Sequence, residues 1–88
     1  MDEPSPARNP DVVHSRLAGG ETVLLHLESG EYHELNPVGA EIWDLLDGDR
    51  TTSEITGELR HRVDDPPEDL RVVVEDYLEE LRGRDLLR

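Results

Sequence analysis

The chain has 88 residues, no cysteine, and a formal charge of −13 from 22 acidic side chains against nine arginines, with no lysine. A domain near this size buries only about two thirds of its unfolded surface, which leaves no room for a deep enzyme pocket. The missing cysteines exclude disulfides, thiolate metal sites and a cysteine nucleophile, and the acidic balance opposes phosphate backbones and anionic membranes while favouring cationic partners.

Residues 1–11 hold Pro4, Pro6 and Pro10 among polar neighbours and show no periodicity, so they read as a flexible tail ahead of a domain over residues 12–88. The opening Met1-Asp2-Glu3-Pro4-Ser5-Pro6 lacks the basic and apolar parts of a signal peptide. No apolar run approaches the roughly 20 residues that span a bilayer. The chain reads as cytoplasmic, with no membrane partner. Val12 to Leu17 and Glu21 to Leu27 are short β-branched or leucine-rich runs joined by Gly19-Gly20, and Ser29-Gly30 then leads into Glu31 to Leu35, which predicts three consecutive antiparallel strands.

A helix follows. Asn36 suits its cap, Pro37 its first position, and Gly48 a left-handed end, while Ile42, Trp43, Leu45 and Leu46 make its apolar face. Thr51 and Glu54 have capping-box spacing for a second helix from about Thr52 to Val63. Asp65-Pro66-Pro67-Glu68 repeats the start signal for a third helix that runs to about Arg82 and stops at Gly83. Leu86-Leu87 then form an apolar plug or short strand. Three strands followed by three helices predict an α+β, winged-helix-like domain.

At about 100° per residue, Leu70, Val74, Tyr77, Leu78 and Leu81 share the buried side of the third helix. Val73 falls at the edge of that stripe, beside Asp69, Asp76 and Glu80. Either Val73 is half buried against the sheet under a solvated acidic face, or the flank is an apolar ledge with an acidic rim. In the second reading the Glu31–Leu35 strand offers its free edge to an extended guest that lays side chains on the ledge, and the rim favours lysine or arginine in the guest.

Other chemistries fit less well. His14, His26, His33 and His61 lack metal-site spacing, and only a particular hairpin register would bring His26 to His33. The carboxylates show no pocket to perturb them. Ser15, Ser29 and Ser53 lie in no nucleophile elbow, and the glycine pairs read as turns and not phosphate loops. No enzyme, metal or cofactor is expected. A winged-helix layout raises DNA binding, but Asp69, Glu75, Asp76, Glu79 and Glu80 outnumber Arg71 and Arg82 on the third helix, so no nucleic-acid partner is expected.

The spacing Tyr32-x-x-Leu35-Asn36-x-x-Gly39-x-x-Ile42-Trp43-x-Leu45-Leu46-Asp47-Gly48, then Thr52-x-Glu54-Ile55-x-x-x-Leu59, then Val74-x-x-Tyr77-Leu78-x-x-Leu81, resembles the PqqD-like family. These small winged-helix-like domains are also called RiPP recognition elements. The resemblance implies a domain that binds the leader segment of a ribosomally made precursor peptide, adding it as a strand to the third strand and packing it on the third helix. By position, the implied leader-binding residues are Glu31, Tyr32, His33, Glu34 and Leu35 on the strand and Asp69, Val73, Asp76, Tyr77 and Glu80 on the helix. Leu35, Ile42, Trp43 and Leu46 also match the family's structural core. The chain departs from the family where a glycine-leucine-leucine ending is usual and Asp85-Leu86-Leu87 stands instead. A free-standing domain of this kind resembles either the leader binder of lasso-peptide clusters, working with a separate leader protease and a cyclase, or the PqqD protein that serves a radical SAM enzyme. The acidic rim and arginine-only composition favour the former. A general winged-helix interaction or regulatory module is the alternative of another class. A monomer or weak dimer is expected, since an open strand edge can self-pair.

Overall fold

A computed structural model describes residues 3–88, so Met1 and Asp2 of the expected tail lie outside the described residues. Strands β1 (Val12–Arg16), β2 (Thr22–His26) and β3 (Tyr32–Leu35) form one antiparallel sheet in the order β1-β2-β3. The turns fall at the two glycine pairs, with Gly20 and Gly30 both at positive φ. Helices α1 (Pro37–Asp44), α2 (Thr52–Arg62) and α3 (Leu70–Gly83) follow, giving the α+β order expected from the sequence. No helix among the described residues is long and apolar enough to cross a membrane.

Strand alternation divides the sheet into two faces. Val12, Leu24 and Leu35 turn inward and are buried with Trp43, Ile42, Leu45, Leu46, Ile55, Leu59, Val74 and Leu78 in one core. Leu86 and Leu87 are buried in the same core and close it from below. Asn36 caps α1, its side-chain oxygen accepting from the Gly39 amide at 2.7 Å, with Pro37 in the first turn. At α2 the capping box is complete: Glu54 N donates to Thr51 Oγ1 at 3.2 Å, and Thr51 N to Glu54 Oε1 at 3.0 Å.

Three boundaries differ from the sequence reading. Helix α1 ends at Asp44, and Gly48 takes its left-handed conformation (φ 85°) four residues later, donating its amide to the Pro6 carbonyl at 3.2 Å. Between them Leu45 and Leu46 stay fully buried outside the helix. Helix α3 begins at Leu70 and not at Pro66. Asp65 is itself left-handed (φ 50°), whereas a cap needs extended backbone, and Pro67 disfavours helical geometry at Pro66. At its other end Gly83 remains helical, and Asp85 (φ 60°) supplies the left-handed turn. Leu86 N donates to Leu81 O at 3.0 Å and Asp85 N to Arg82 O at 3.1 Å, the paired bonds of a Schellman ending.

The segment before β1 lies against the domain. Ala7 bridges Asp47 and Arg8 bridges Leu87, Asn9 N donates to Leu86 O at 3.0 Å, and Pro6 is buried. Prolines bar this segment from a regular ladder but leave its carbonyls free to accept, as Pro6 does from Gly48 and Ala7 does from Arg88 at 2.8 Å. The Arg8 guanidinium sits 5.9 Å from the Trp43 ring centroid, within cation–π range.

Candidate functional site

Strand β3 is an edge strand, paired on one side only. Its register with β2 sets Leu25 opposite Tyr32, Val23 opposite Glu34, Leu24 opposite His33 and Thr22 opposite Leu35. His26 N donates to Glu31 O at 3.0 Å just before the strand, so the hydrogen-bonded positions alternate as Glu31, His33 and Leu35. The backbone N–H and C=O groups of Tyr32 and Glu34 therefore point to the open edge.

Beside that edge lies α3, running antiparallel to β3. At one end His33 Nδ1 is 3.4 Å from an Arg84 guanidinium nitrogen, and at the other the Tyr77 phenol reaches Gly39 in the first turn of α1. Between them is a cleft of about 210 Å³ lined by His33, Glu34, Leu35, Asn36, Tyr77, Glu80, Leu81, Arg84 and Leu86. Past Tyr77 a second hollow of about 360 Å³ continues between α1, α3 and the loop joining α2 to α3. Val38, Val63, Pro66, Pro67 and Val73 make it mostly apolar, with Asp64 and Asp65 at its lip.

Close packing at Gly39 holds Tyr77 between the two hollows. A Cβ at Gly39 would collide with the Tyr77 hydroxyl, so only glycine lets the phenol reach the capped turn of α1. Burial pushes the Tyr77 phenol above its ordinary value, the Glu80 charge adds to the rise and Arg84 partly offsets it. At the far end Arg84 donates to Glu80 at 3.0 Å, and Glu31 lies 3.7 Å from His33 Nε2.

Of the residues singled out in the sequence, His33, Glu34, Leu35, Tyr77 and Glu80 meet around the first cleft, and Val73 and Tyr77 line the second. Leu35 is only 4% exposed and its backbone groups face β2, so it contributes to the wall of the cleft alone. Tyr32 is 72% exposed and projects from the opposite face of the sheet. Asp69 and Asp76 are exposed on the flank of α3 and line neither hollow, and Asp69 makes no capping bond of its own. Sequence reasoning missed Arg84, Val38, Val63, Pro66 and Pro67. Arg84 carried a signal, standing four residues after Glu80; the two prolines were absorbed into an expected helix start.

His26 and His33 share the inward face but bond differently. His26 is buried, its Nε2 3.1 Å from Asp85 Oδ2 and its Nδ1 accepting from Ser29 N at 3.3 Å. Among the described residues no group of three or more potential ligands is placed to hold a metal.

Comparison with known proteins places these features in context. The family described as coenzyme PQQ synthesis protein D (PqqD) matches residues 21–87. Among solved structures, the chain is similar to TbiB1 in complex with the TbiA(beta) leader peptide, at 29% identity and TM-score 0.79, covering 93% of this chain and 94% of that one. It shares its fold with a lasso peptide synthetase B1 complexed with the leader peptide, at 20% identity and TM-score 0.80, covering 96% and 98%. No curated protein matches.

Proposed function

The chain belongs to the PqqD family, and on that premise we propose that it binds the leader segment of a ribosomally made precursor peptide and delivers it to separate processing enzymes. The leader adds as a strand along β3, bonding to the outward-pointing groups of Tyr32 and Glu34, and lays alternate side chains into the cleft against α3. Glu31, His33, Leu35, Val73 and Tyr77 border its path, and Asp69, Asp76 and Glu80 give that path an acidic flank. The protein itself catalyses no step and needs no cofactor. It raises the local concentration of the precursor and fixes its register at a leader protease and a cyclase.

The observation that carries this reading is the free edge of β3 lying directly beside a cleft walled by α3. Support for the lasso-peptide pathway comes from the leader-bound TbiB1 likeness over nearly the whole chain. The description of the matched family favours a second reading, a PqqD protein that offers its precursor to a radical SAM enzyme. Titrating a fluorescent leader peptide from the neighbouring precursor gene tests both. Saturable binding is expected, and none at micromolar protein would sink the proposal. The identity of the precursor that binds separates the two pathways.

A further inference from the structure

Strand β1 is the other edge of the sheet, across β2 from the leader path. Leu27 N donates to Asp11 O at 2.8 Å and Leu17 N to Glu21 O at 2.7 Å, at the two ends of the β1–β2 ladder. Asp11, Val13, Ser15 and Leu17 are therefore the bonded positions, and the backbone groups of Val12, His14 and Arg16 point away from β2. One of these is already satisfied, since Val12 N donates to Asn9 O at 3.0 Å. The Val12 carbonyl and both backbone groups of His14 and Arg16 stay open to the edge. Of the inward-facing side chains on β1 only Val12 is buried, while His14 and Arg16 are exposed, so no helix covers that part of the strand. Beside it lies a hollow of about 550 Å³ lined by Arg8, Asn9, Pro10, Val12, Val13 and His14.

We propose that β1 pairs antiparallel with β1 of a second copy, giving a symmetric dimer built on one continuous sheet. The open groups all belong to residues of inward parity. Bonded partners in an antiparallel ladder share a face, so this pairing keeps both helical layers on the same side of the sheet. Centred on His14, it sets Val12 of each copy opposite Arg16 of the other, the self-complementary pattern of a two-fold interface. His14 then bonds in both directions with its counterpart, and each Arg16 N–H reaches the other copy's Val12 carbonyl, leaving the bond from Val12 N to Asn9 O undisturbed. On the outward face Val13, 44% exposed, lies diagonal to the other copy's Leu17, 48% exposed. The hollow beside Val12 receives the other copy's Arg16–Leu17 end. Charge favours this edge for a second copy. Each chain carries −13, but here Arg8, His14 and Arg16 stand against Asp11 and Asp44, and Asp44 lies 3.5 Å from Arg16. Self-pairing at β3 would instead set Glu31, Glu34 and Glu80 against their counterparts. The dimer leaves a free β3 edge at each end of its sheet, so it stands apart from leader binding.

Sedimentation equilibrium of the full chain over about 10 µM to 1 mM tests this. The wild-type mass should climb from 10.0 kDa toward twice that value. His14→Pro removes the central N–H without breaking a bond to β2, and should stay monomeric with unchanged leader affinity. A second readout does not depend on the proline being tolerated. The chain has no cysteine, so His14→Cys places a thiol opposite its own counterpart, with Cα atoms about 5.5 Å apart, within disulfide reach. Glu58→Cys, exposed on α2, is the control. Under mild oxidation His14→Cys should form the linked dimer at least about tenfold faster than Glu58→Cys. Saturating leader should leave self-association of the wild type unchanged, and added sodium chloride should strengthen it by screening the −13 on each copy. A wild-type monomer throughout the range would overturn the proposal, as would equal cross-linking rates for the two cysteine variants. So would an association that leader reverses and salt weakens, which would put the acidic β3 edge in the interface.

Discussion

Asp85 holds the left-handed position (φ 60°) that ends α3, a conformation that favours glycine. A side chain there costs roughly 1–2 kcal/mol, but the Asp85 carboxylate accepts from buried His26, a bond whose loss costs about the same. Asp85→Gly should therefore leave stability near that of wild type, whereas Asp85→Ala keeps the strain, loses the bond, and should cost about 1–3 kcal/mol in urea denaturation. If both variants match wild type, the His26 contact contributes nothing. Gly39 is less forgiving, because any Cβ meets the Tyr77 hydroxyl. Gly39→Ala should cost about 1–3 kcal/mol or swing the phenol into the cleft, and leader affinity should drop in either case. Val73 is different again: 38% exposed, it borders the apolar hollow without supporting the core. Val73→Arg should keep the thermal midpoint yet weaken leader binding by about tenfold or more, since it sets bulk and charge where the guest packs. Equal affinity for Val73→Arg and wild type would move the leader off this flank.

Strand addition makes a sharper demand at the level of the element, because the two sets of backbone groups on β3 face opposite ways. Proline removes one N–H without needing a side-chain role. Glu34→Pro deletes a group on the open edge, so leader affinity should fall about tenfold while the circular dichroism spectrum and melting curve stay close to wild type. His33→Pro deletes a group bonded to β2 and should lower stability itself. A Glu34→Pro protein that binds leader normally would exclude pairing at that edge. The elements on which this argument stands were legible in the sequence, since alternation, turn glycines and the Thr51–Glu54 box are local signals with local causes. Two of the three misplaced boundaries have nonlocal causes. Gly48, left-handed, donates its amide to Pro6, some forty residues away, and the left-handed Asp85 that ends α3 in place of Gly83 meets His26 of β2, 59 residues earlier. The second hollow was illegible for the same reason: Val38, Val63, Pro66 and Val73 come from α1, the joining loop and α3, and only packing brings them together.

Across the whole molecule, the arginines are largely spent on the protein's own carboxylates. Arg16 pairs with Asp44, Arg50 with Asp47, Arg62 with Glu41, Arg71 with Glu3 and Glu75, Arg82 with Glu79, and Arg84 with Glu80. These exposed pairs add little stability. Their larger effect is to leave no free cationic patch among the described residues they cover, so the surplus of acid dominates the field around the cleft. Asp64 and Asp65 border the apolar hollow, and Asp69 and Asp76, exposed on the adjoining flank of α3, form no ion pair among the described residues. A leader with lysine or arginine at the matching positions gains from that field, most of all during approach. Screening shortens its reach to about 10 Å at 0.1 M salt and about 3 Å at 1 M. Leader affinity should accordingly fall several-fold when sodium chloride is raised from about 0.05 to 0.5 M. Asp69→Asn combined with Asp76→Asn should flatten that dependence while keeping most of the affinity at high salt, because backbone pairing and apolar packing are not screened. A wild-type titration that is already flat with salt would remove the acidic flank from recognition and leave strand addition and the hollow to account for binding.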